Sequence, residues 1–336
     1  MTSTYLPKVH IIGTGGSIAG VGHDQLDMTE YGDTGKKLNI ANLLYQIPKI
    51  NTLAQITFED FSNVTSNSLT TKDWIGLANH INEMFKYDPK LSGIAITHGS
   101  MTIEETAYFL NLTIKSSRPV VLTGSLRPST AISSDAHLNI HDCILVASAK
   151  ESRDKGVLVV LNGEINSARD VSKTNTYRLE TFKSQDLGFL GYADADHSIV
   201  YYRSPTRQHT YQTEFNLSLQ TELPKVDIVY SYVGAEGDLI NYLVNQGSKG
   251  IIICGIGSGN PTPSQSKALV EAQKAGVAVV HSSRLGAGRV LVTTRRREAG
   301  IIAADTLTPQ KARILLMLGL SITKNIAKLQ EMFYKY

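Results

Sequence analysis

The sequence predicts an α/β fold with helices flanking mainly parallel sheets, and two patterns carry that expectation. Apolar runs too short for helices recur at residues 9–12, 93–97, 119–122, 157–161, 226–230, 250–254 and 277–281. Each is apolar on successive residues, as strands buried on both faces are. Between them, residues 74–85, 104–114, 138–148, 239–245, 264–275 and 309–319 place apolar side chains three and four apart, the spacing of a helix with one buried face. A third observation concerns ligands: Gly255-Ile-Gly-Ser-Gly259 and Ser282-Ser-Arg284 stand just past strand C-termini, where open α/β sheets bind them.

With 336 residues the chain exceeds the roughly 100–200 of one domain. The polar stretch 202–224, poor in strand signal and closed by Leu223-Pro224, is the expected linker between an N-terminal domain, 1–201, and a C-terminal domain, 225–336. Hydrophobic residues make up 42% and charged residues 19%, which excludes disorder and collagen-like structure. A formal net charge of +3 is too small to point to nucleic acid or an anionic membrane, and Arg295, Arg296 and Arg297 form the one basic run. Cys143 and Cys254 lie too far apart for a Cys-x-x-Cys site, which fits a reduced, cytoplasmic setting. No stretch reaches the ~18 apolar residues of a membrane span. Residues 1–12 run into the first strand without a secretory h-region, although a signal peptide removed before this numbering would leave no trace.

Three motifs can carry chemistry. In Ile11-Ile-Gly-Thr-Gly-Gly-Ser-Ile-Ala-Gly20 a strand runs into a glycine-rich turn, where backbone amides can face a ligand and a hydroxyl can act as nucleophile. Gly13-x-Gly15 also opens a dinucleotide loop, but residues 33–37 are polar where a second strand and its acid are required. The plain alternative is a tight turn with Thr14 as a β-branched strand end. In Ile94-Ala-Ile-Thr-His-Gly-Ser-Met-Thr-Ile-Glu-Glu-Thr-Ala107 a buried strand ends at His98-Gly99 and helix follows at once. Thr102-x-x-Glu105 reads as a capping box. Ser100, with free amides around it, can cap, bind a carboxylate or be activated by a base. In Asn162-Gly-Glu-Ile-Asn-Ser-Ala-Arg-Asp-Val-Ser-Lys-Thr-Asn175, Lys173 is a solvated surface group in the ordinary case and a base if buried beside a hydroxyl.

These motifs, in order with Glu104-Glu-Thr-Ala-Tyr-Phe-Leu110, Arg127-Pro-Ser-Thr-Ala-Ile-Ser133, Leu223-Pro-Lys-Val-Asp-Ile228 and Pro309-Gln-Lys-Ala-Arg313, resemble the bacterial-type L-asparaginase and glutaminase-asparaginase family over nearly the whole chain. The resemblance implies a larger N-terminal α/β domain with a mixed sheet and a smaller C-terminal α/β domain with a parallel sheet. It also implies a homotetramer built of close dimers, active sites completed across a dimer interface, and no metal or organic cofactor. In that family a threonine of the first motif attacks the side-chain amide, and water hydrolyses the resulting acyl-enzyme after ammonia has left. The resemblance carries this role to Thr14, the assisting loop tyrosine to Tyr31, and the Thr-Lys-Asp set to Ser100, Lys173 and Met101. Ser66 would bind the substrate α-carboxylate, with Asn67 and Gly99 beside it.

The departures point to an altered pocket. Met101 stands for the family aspartate that orients the lysine and binds the substrate α-ammonium, and Asn67 stands for a glutamine. Thr293 falls where a glutamate reaches the neighbouring subunit's site, with Glu298 as the nearby acid. A buried charge stripped of its partner costs about 3–5 kcal/mol, roughly a hundred- to several-thousand-fold in rate, so free asparagine is expected to be a poor substrate. Loss of the carboxylate is also expected to lower the pKa of Lys173 and to orient it less firmly. The expected activity is hydrolysis of an asparagine-like carboxamide lacking a free α-amino group, with Met101 as an apolar wall and the arginine run meeting an anion. The alternatives are an ordinary L-asparaginase using another acid and a non-catalytic ligand-binding homologue.

Overall fold

The computed structural model describes residues 6–336. The chain forms two compact units: one runs to Gln212 and takes in Leu217–Leu219, and the other comprises Thr213–Asn216 and Gln220–Tyr336.

The first unit alternates β1 (Lys8–Gly15), α1 (Ile40–Tyr45), β2 (Gln55–Val64), α2 (Thr71–Tyr87), β3 (Leu91–Thr97), α3 (Ile103–Thr113), β4 (Val120–Thr123), α4 (Ala136–Ser148) and β5 (Val157–Leu161). Short strands follow: β6 (Glu164–Ser167), β7 (Ser172–Lys173), β8 (Phe182–Lys183), β9 (Gly191–Ala193) and β10 (Ile199–Tyr201). One eight-stranded sheet has the order β10-β9-β6-β5-β4-β3-β1-β2, while β7 and β8 pair separately. Strands β1 to β5 are parallel and β6, β9 and β10 antiparallel, so the sheet is mixed.

Strands β1, β3, β4 and β5 are central and covered on both faces, which is why each reads as an unbroken apolar run. Strand β2 escapes that pattern because it is the sheet edge. Its residues are mostly exposed or half-buried, and its sequence is correspondingly polar. Helix α3 is buried on nearly every side, with Tyr108 and Phe109 fully covered. From β1 the chain steps outward to β2 and then returns to β3 on the other side of β1. The turns leaving β1 and β3 therefore diverge, and a crevice opens at the C-terminal ends of these strands, where such sheets bind ligands.

The second unit contains β11 (Val226–Tyr230), α5 (Asp238–Asn245), β12 (Gly250–Gly255), α6 (Pro263–Lys274), β13 (Ala278–Ser283), α7 (Thr294–Glu298), β14 (Ile302–Ala303), α8 (Pro309–Leu320) and α9 (Ile326–Lys335). Its four strands are parallel in the order β11-β12-β13-β14. Val229, Ile251, Ile253 and Val279 bury one face of the sheet against Ile240 and Leu269 of α5 and α6.

The arginine run lies on α7, where Arg296 is buried and donates to the carbonyls of Leu291 (2.8 Å) and Ser258 (2.7 Å), while Arg295, Arg297 and Glu298 are exposed. The serines beyond β13 are likewise committed internally, Ser282 to the Leu307 carbonyl and Ser283 to that of Gly257. Among the described residues no helix is long and apolar enough to cross a membrane.

Helix α4 lies so close to β3 that a Cβ on Gly93 would sit 2.1 Å from the Ala147 carbonyl oxygen and 2.9 Å from Pro119 Cγ. Because the first obstacle is backbone, Gly93→Ala is expected to destabilise this unit by about 3 kcal/mol, measurable as a lower urea midpoint of its unfolding transition.

Candidate active site

A cleft of about 960 Å³ opens at the switch point, lined by Gly16 and Ser17 after β1 and by Gly99, Ser100 and Met101 after β3. Residues 28–37 and 173–177 close two further sides. The two strand ends meet where no side chain fits. Gly16 has φ 88°, a left-handed conformation suited to glycine, and a Cβ there would lie 2.2 Å from Gly99 Cα. A Cβ on Gly99 would lie 2.6 Å from Ser66 Oγ.

Ser17 leaves the strand after the second glycine and lines the cleft. It is half-buried, donates to the Ser125 carbonyl at 2.9 Å and shares the cleft with Tyr31. Burial raises the Tyr31 phenol above its usual pKa, and the Ser17 contact opposes that shift. On a second wall, Lys173 Nζ donates to Ser100 Oγ at 3.1 Å. Lys173 is carried by β7, whose register opposite Phe182 of β8 fixes the side from which it enters. Burial lowers its pKa, and the charge of Glu104 opposes that. Glu104, in the first turn of α3, is the one carboxylate among the described residues lining the cleft, against the three lysines 36, 37 and 173.

Five of the expected residues, Tyr31, Gly99, Ser100, Met101 and Lys173, line this cleft, Met101 being 52% exposed. Ser66 and Asn67 do not line it, although their neighbour Thr65 does. Thr14 is the main correction. It is still within β1, only 4% exposed, and its hydroxyl donates to the Thr97 carbonyl at 2.9 Å. Its side chain faces a minute internal void with Phe61, Trp74 and His98, not the cleft. The expected capping box is also absent: Thr102 makes no cap bond and instead donates to the Ser66 carbonyl at 2.9 Å. The dinucleotide reading fails because only a single 3₁₀ turn, Ser17–Ala19, follows the glycines.

The chain matches two family models, "Asparaginase, N-terminal" over residues 8–207 and "Glutaminase/Asparaginase C-terminal domain" over residues 225–333. It belongs to the asparaginase family. It is 42% identical over 331 residues to L-asparaginase 2 of Bacillus subtilis (strain 168), covering 98% of this chain and 87% of that protein. It is 37% identical over 339 residues to the glutaminase-asparaginase of Pseudomonas fluorescens biotype A, covering 100% of this chain and 92% of that one. The crystal structure of a probable cytoplasmic L-asparaginase from Campylobacter jejuni superposes with a TM-score of 0.94 at 42% identity, covering 98% of this chain and all of that one. The chain is thus an asparaginase-family amidohydrolase with the fold expected from its sequence. Among its described residues, no group of three or more His, Cys, Asp or Glu is arranged to hold a metal ion.

In this asparaginase-family chain the motif histidine is structural. His98 is fully buried: its Nδ1 contacts the Gly99 carbonyl and its Nε2 the Thr106 hydroxyl, each at 2.9 Å, while Trp74 Nε1 donates to the same hydroxyl at 2.9 Å. The carbonyl can only accept, so Nδ1 carries the proton and Thr106 donates to Nε2; the ring is neutral. Burial, partly offset by the Gly99 bond, lowers its pKa from 6.5 to about 4. Below pH 6.5 the unfolded chain therefore takes up a proton that the folded chain refuses until about pH 4. Stability is expected to fall as pH drops through that window, by about 2–3 kcal/mol at pH 4.5 from this group alone. Urea unfolding at pH 7 and pH 4.5 measures the loss, which His98→Gln should reduce by that amount.

Proposed function

We propose that this protein hydrolyses the carboxamide of a small acid lacking a free α-amino group, with Ser17 as the nucleophile. The observation that carries the reading is that Ser17 and Tyr31 line one cleft with the hydrogen-bonded Lys173–Ser100 pair, whereas Thr14 does not. Ser17 Oγ attacks the amide carbon and passes its proton, by way of the Ser100 hydroxyl, to Lys173 once that side chain is in its neutral amine form. The C–N bond then breaks, and the departing nitrogen takes up a proton to leave as ammonia. Water attacks the Ser17 ester with the same group accepting its proton, and the carboxylic acid is released with Ser17 restored.

The lining supports the specificity. Met101 offers a thioether where the family resemblance expects a carboxylate, and Lys36 and Lys37 add positive charge that suits an anionic substrate and opposes an ammonium. The competing reading is hydrolysis of free L-asparagine with Glu104 receiving the ammonium, and the 42% identity to L-asparaginase 2 of Bacillus subtilis favours it. Identity to a probable cytoplasmic L-asparaginase supports a cytoplasmic setting, and the family resemblance supports a homotetramer of close dimers.

Ammonia release from asparagine, glutamine, succinamate and N-acetylasparagine separates the two readings: turnover of asparagine at least matching the other amides would sink the altered pocket. On the preferred amide, Ser17→Ala is expected to reduce kcat at least about a thousandfold. Thr14→Val should leave kcat within a few-fold and cost about 1 kcal/mol of stability for its lost hydrogen bond. The reverse result would return the nucleophile to Thr14. Met101→Asp should raise kcat/KM for asparagine at least about tenfold, part of the cost of an unpaired buried ammonium. No gain would remove Met101 as the specificity determinant.

A further inference from the structure

Lys173 is half-buried and spends a hydrogen bond on a neutral hydroxyl, so its charge needs a counter-charge that Met101 cannot supply. The charged and titratable groups that share its cleft are few. Lys36 and Lys37 come from the loop after Tyr31, and the Nζ of Lys37 donates to the Asn63 carbonyl at 2.9 Å. Tyr31 and Tyr177 contribute phenols, and Glu104 contributes the carboxylate. Glu104 stands four residues after Ser100, in the opening turn of a helix buried nearly all round, and is itself only 8% exposed.

We propose that Glu104 is the positioning residue for Lys173, holding its ammonium against Ser100 in the resting enzyme and thereby doing the orienting work that a carboxylate at position 101 would otherwise do. The proposal rests on the reading of this cleft as the amide-hydrolysing site. It also separates two tasks. Glu104 steadies the Lys173 ammonium and is not available to receive a substrate ammonium, so the cleft can keep an oriented Lys173 while rejecting amino acids. The electrostatics agree in sign: burial disfavours the charged lysine, and Glu104 is the neighbour that favours it.

The test follows Lys173 itself and does not need turnover. The folded full-length protein is trace-labelled with acetic anhydride across a pH series, and acetylation of Lys173 is read by peptide mass spectrometry. Removing the carboxylate in Glu104→Gln should lower the labelling midpoint of Lys173 by about one pH unit, or about tenfold faster labelling at a fixed pH below both midpoints. The exposed Lys72 in α2 should keep its own midpoint. Should the glutamine variant fail to fold, Glu104→Leu, apolar and of similar size, carries the same expectation. An unchanged Lys173 midpoint in a folded variant overturns the proposal. So does a rise in KM for asparagine in Glu104→Gln with both the midpoint and the acidic limb of kcat/KM unmoved, because that pattern belongs to an ammonium-binding residue. If no amide is hydrolysed by the wild-type protein, the proposed function fails while the labelling midpoint still decides the role of Glu104.

Discussion

The close packing of Gly16 on Gly99 sets the position of everything that lines the cleft. Two parallel strands end side by side and their turns must separate, yet here the turns first touch backbone to backbone. Three hydroxyls tie this contact to the surrounding strands. Thr14 donates from β1 to the Thr97 carbonyl of β3, Ser62 donates from β2 to the Thr14 carbonyl at 3.2 Å, and Thr102 donates to the Ser66 carbonyl. Thr14 is thus a clamp beneath the site. With the glycines locked, Ser17 and Ser100 are presented from adjacent strand ends without depending on the longer loops that close the cleft.

Charge in this region is arranged by burial as much as by pairing. His98 lies directly under the Gly99 turn and stays neutral because its chain of hydrogen bonds, from Trp74 through Thr106 to the Gly99 carbonyl, is complete without a second ring proton. Lys173 sits half in the same low-dielectric setting, but with Glu104 in the same cleft it retains a reason to remain charged. With the imidazole below neutral, no charge on that ring competes with that of Lys173 above it.

The central strands β1, β3, β4, β5, β12 and β13, the more apolar edge strand β11 and six of the helices are visible in the sequence, since burial on one or both faces or on one helical stripe leaves an apolar period. The edge strand β2 is not, because an edge has no such requirement, and α9 is easily passed over as a short terminal stripe of Leu329, Met332 and Phe333. Within the site, the glycine-rich turn, Tyr31, Ser100 and Lys173 are legible as motifs. The choice between Thr14 and Ser17 is harder: both hydroxyls flank the same two glycines, and a strand's alternation does not say where the strand stops. A signal existed in the left-handed turn that paired glycines permit, which makes the residue after them the first to leave the sheet. Glu104 was masked by its neighbour Glu105, which fits a capping box that Thr102 does not form.

What the sequence determined by itself was the alternation of strands and helices, the glycine positions where backbones meet, and the inventory of hydroxyl, amine and acid available for chemistry, all of which follow from local periodicity and residue type. Only the tertiary structure decided which serine or threonine lines the cleft, which is turned to the core, and which carboxylate shares the cleft with Lys173. Those outcomes depend on segments far apart in the chain, β1 against β3 and the Ser100 turn against Lys173 of β7, and direction in space is a property of their packing that no run of residues encodes alone.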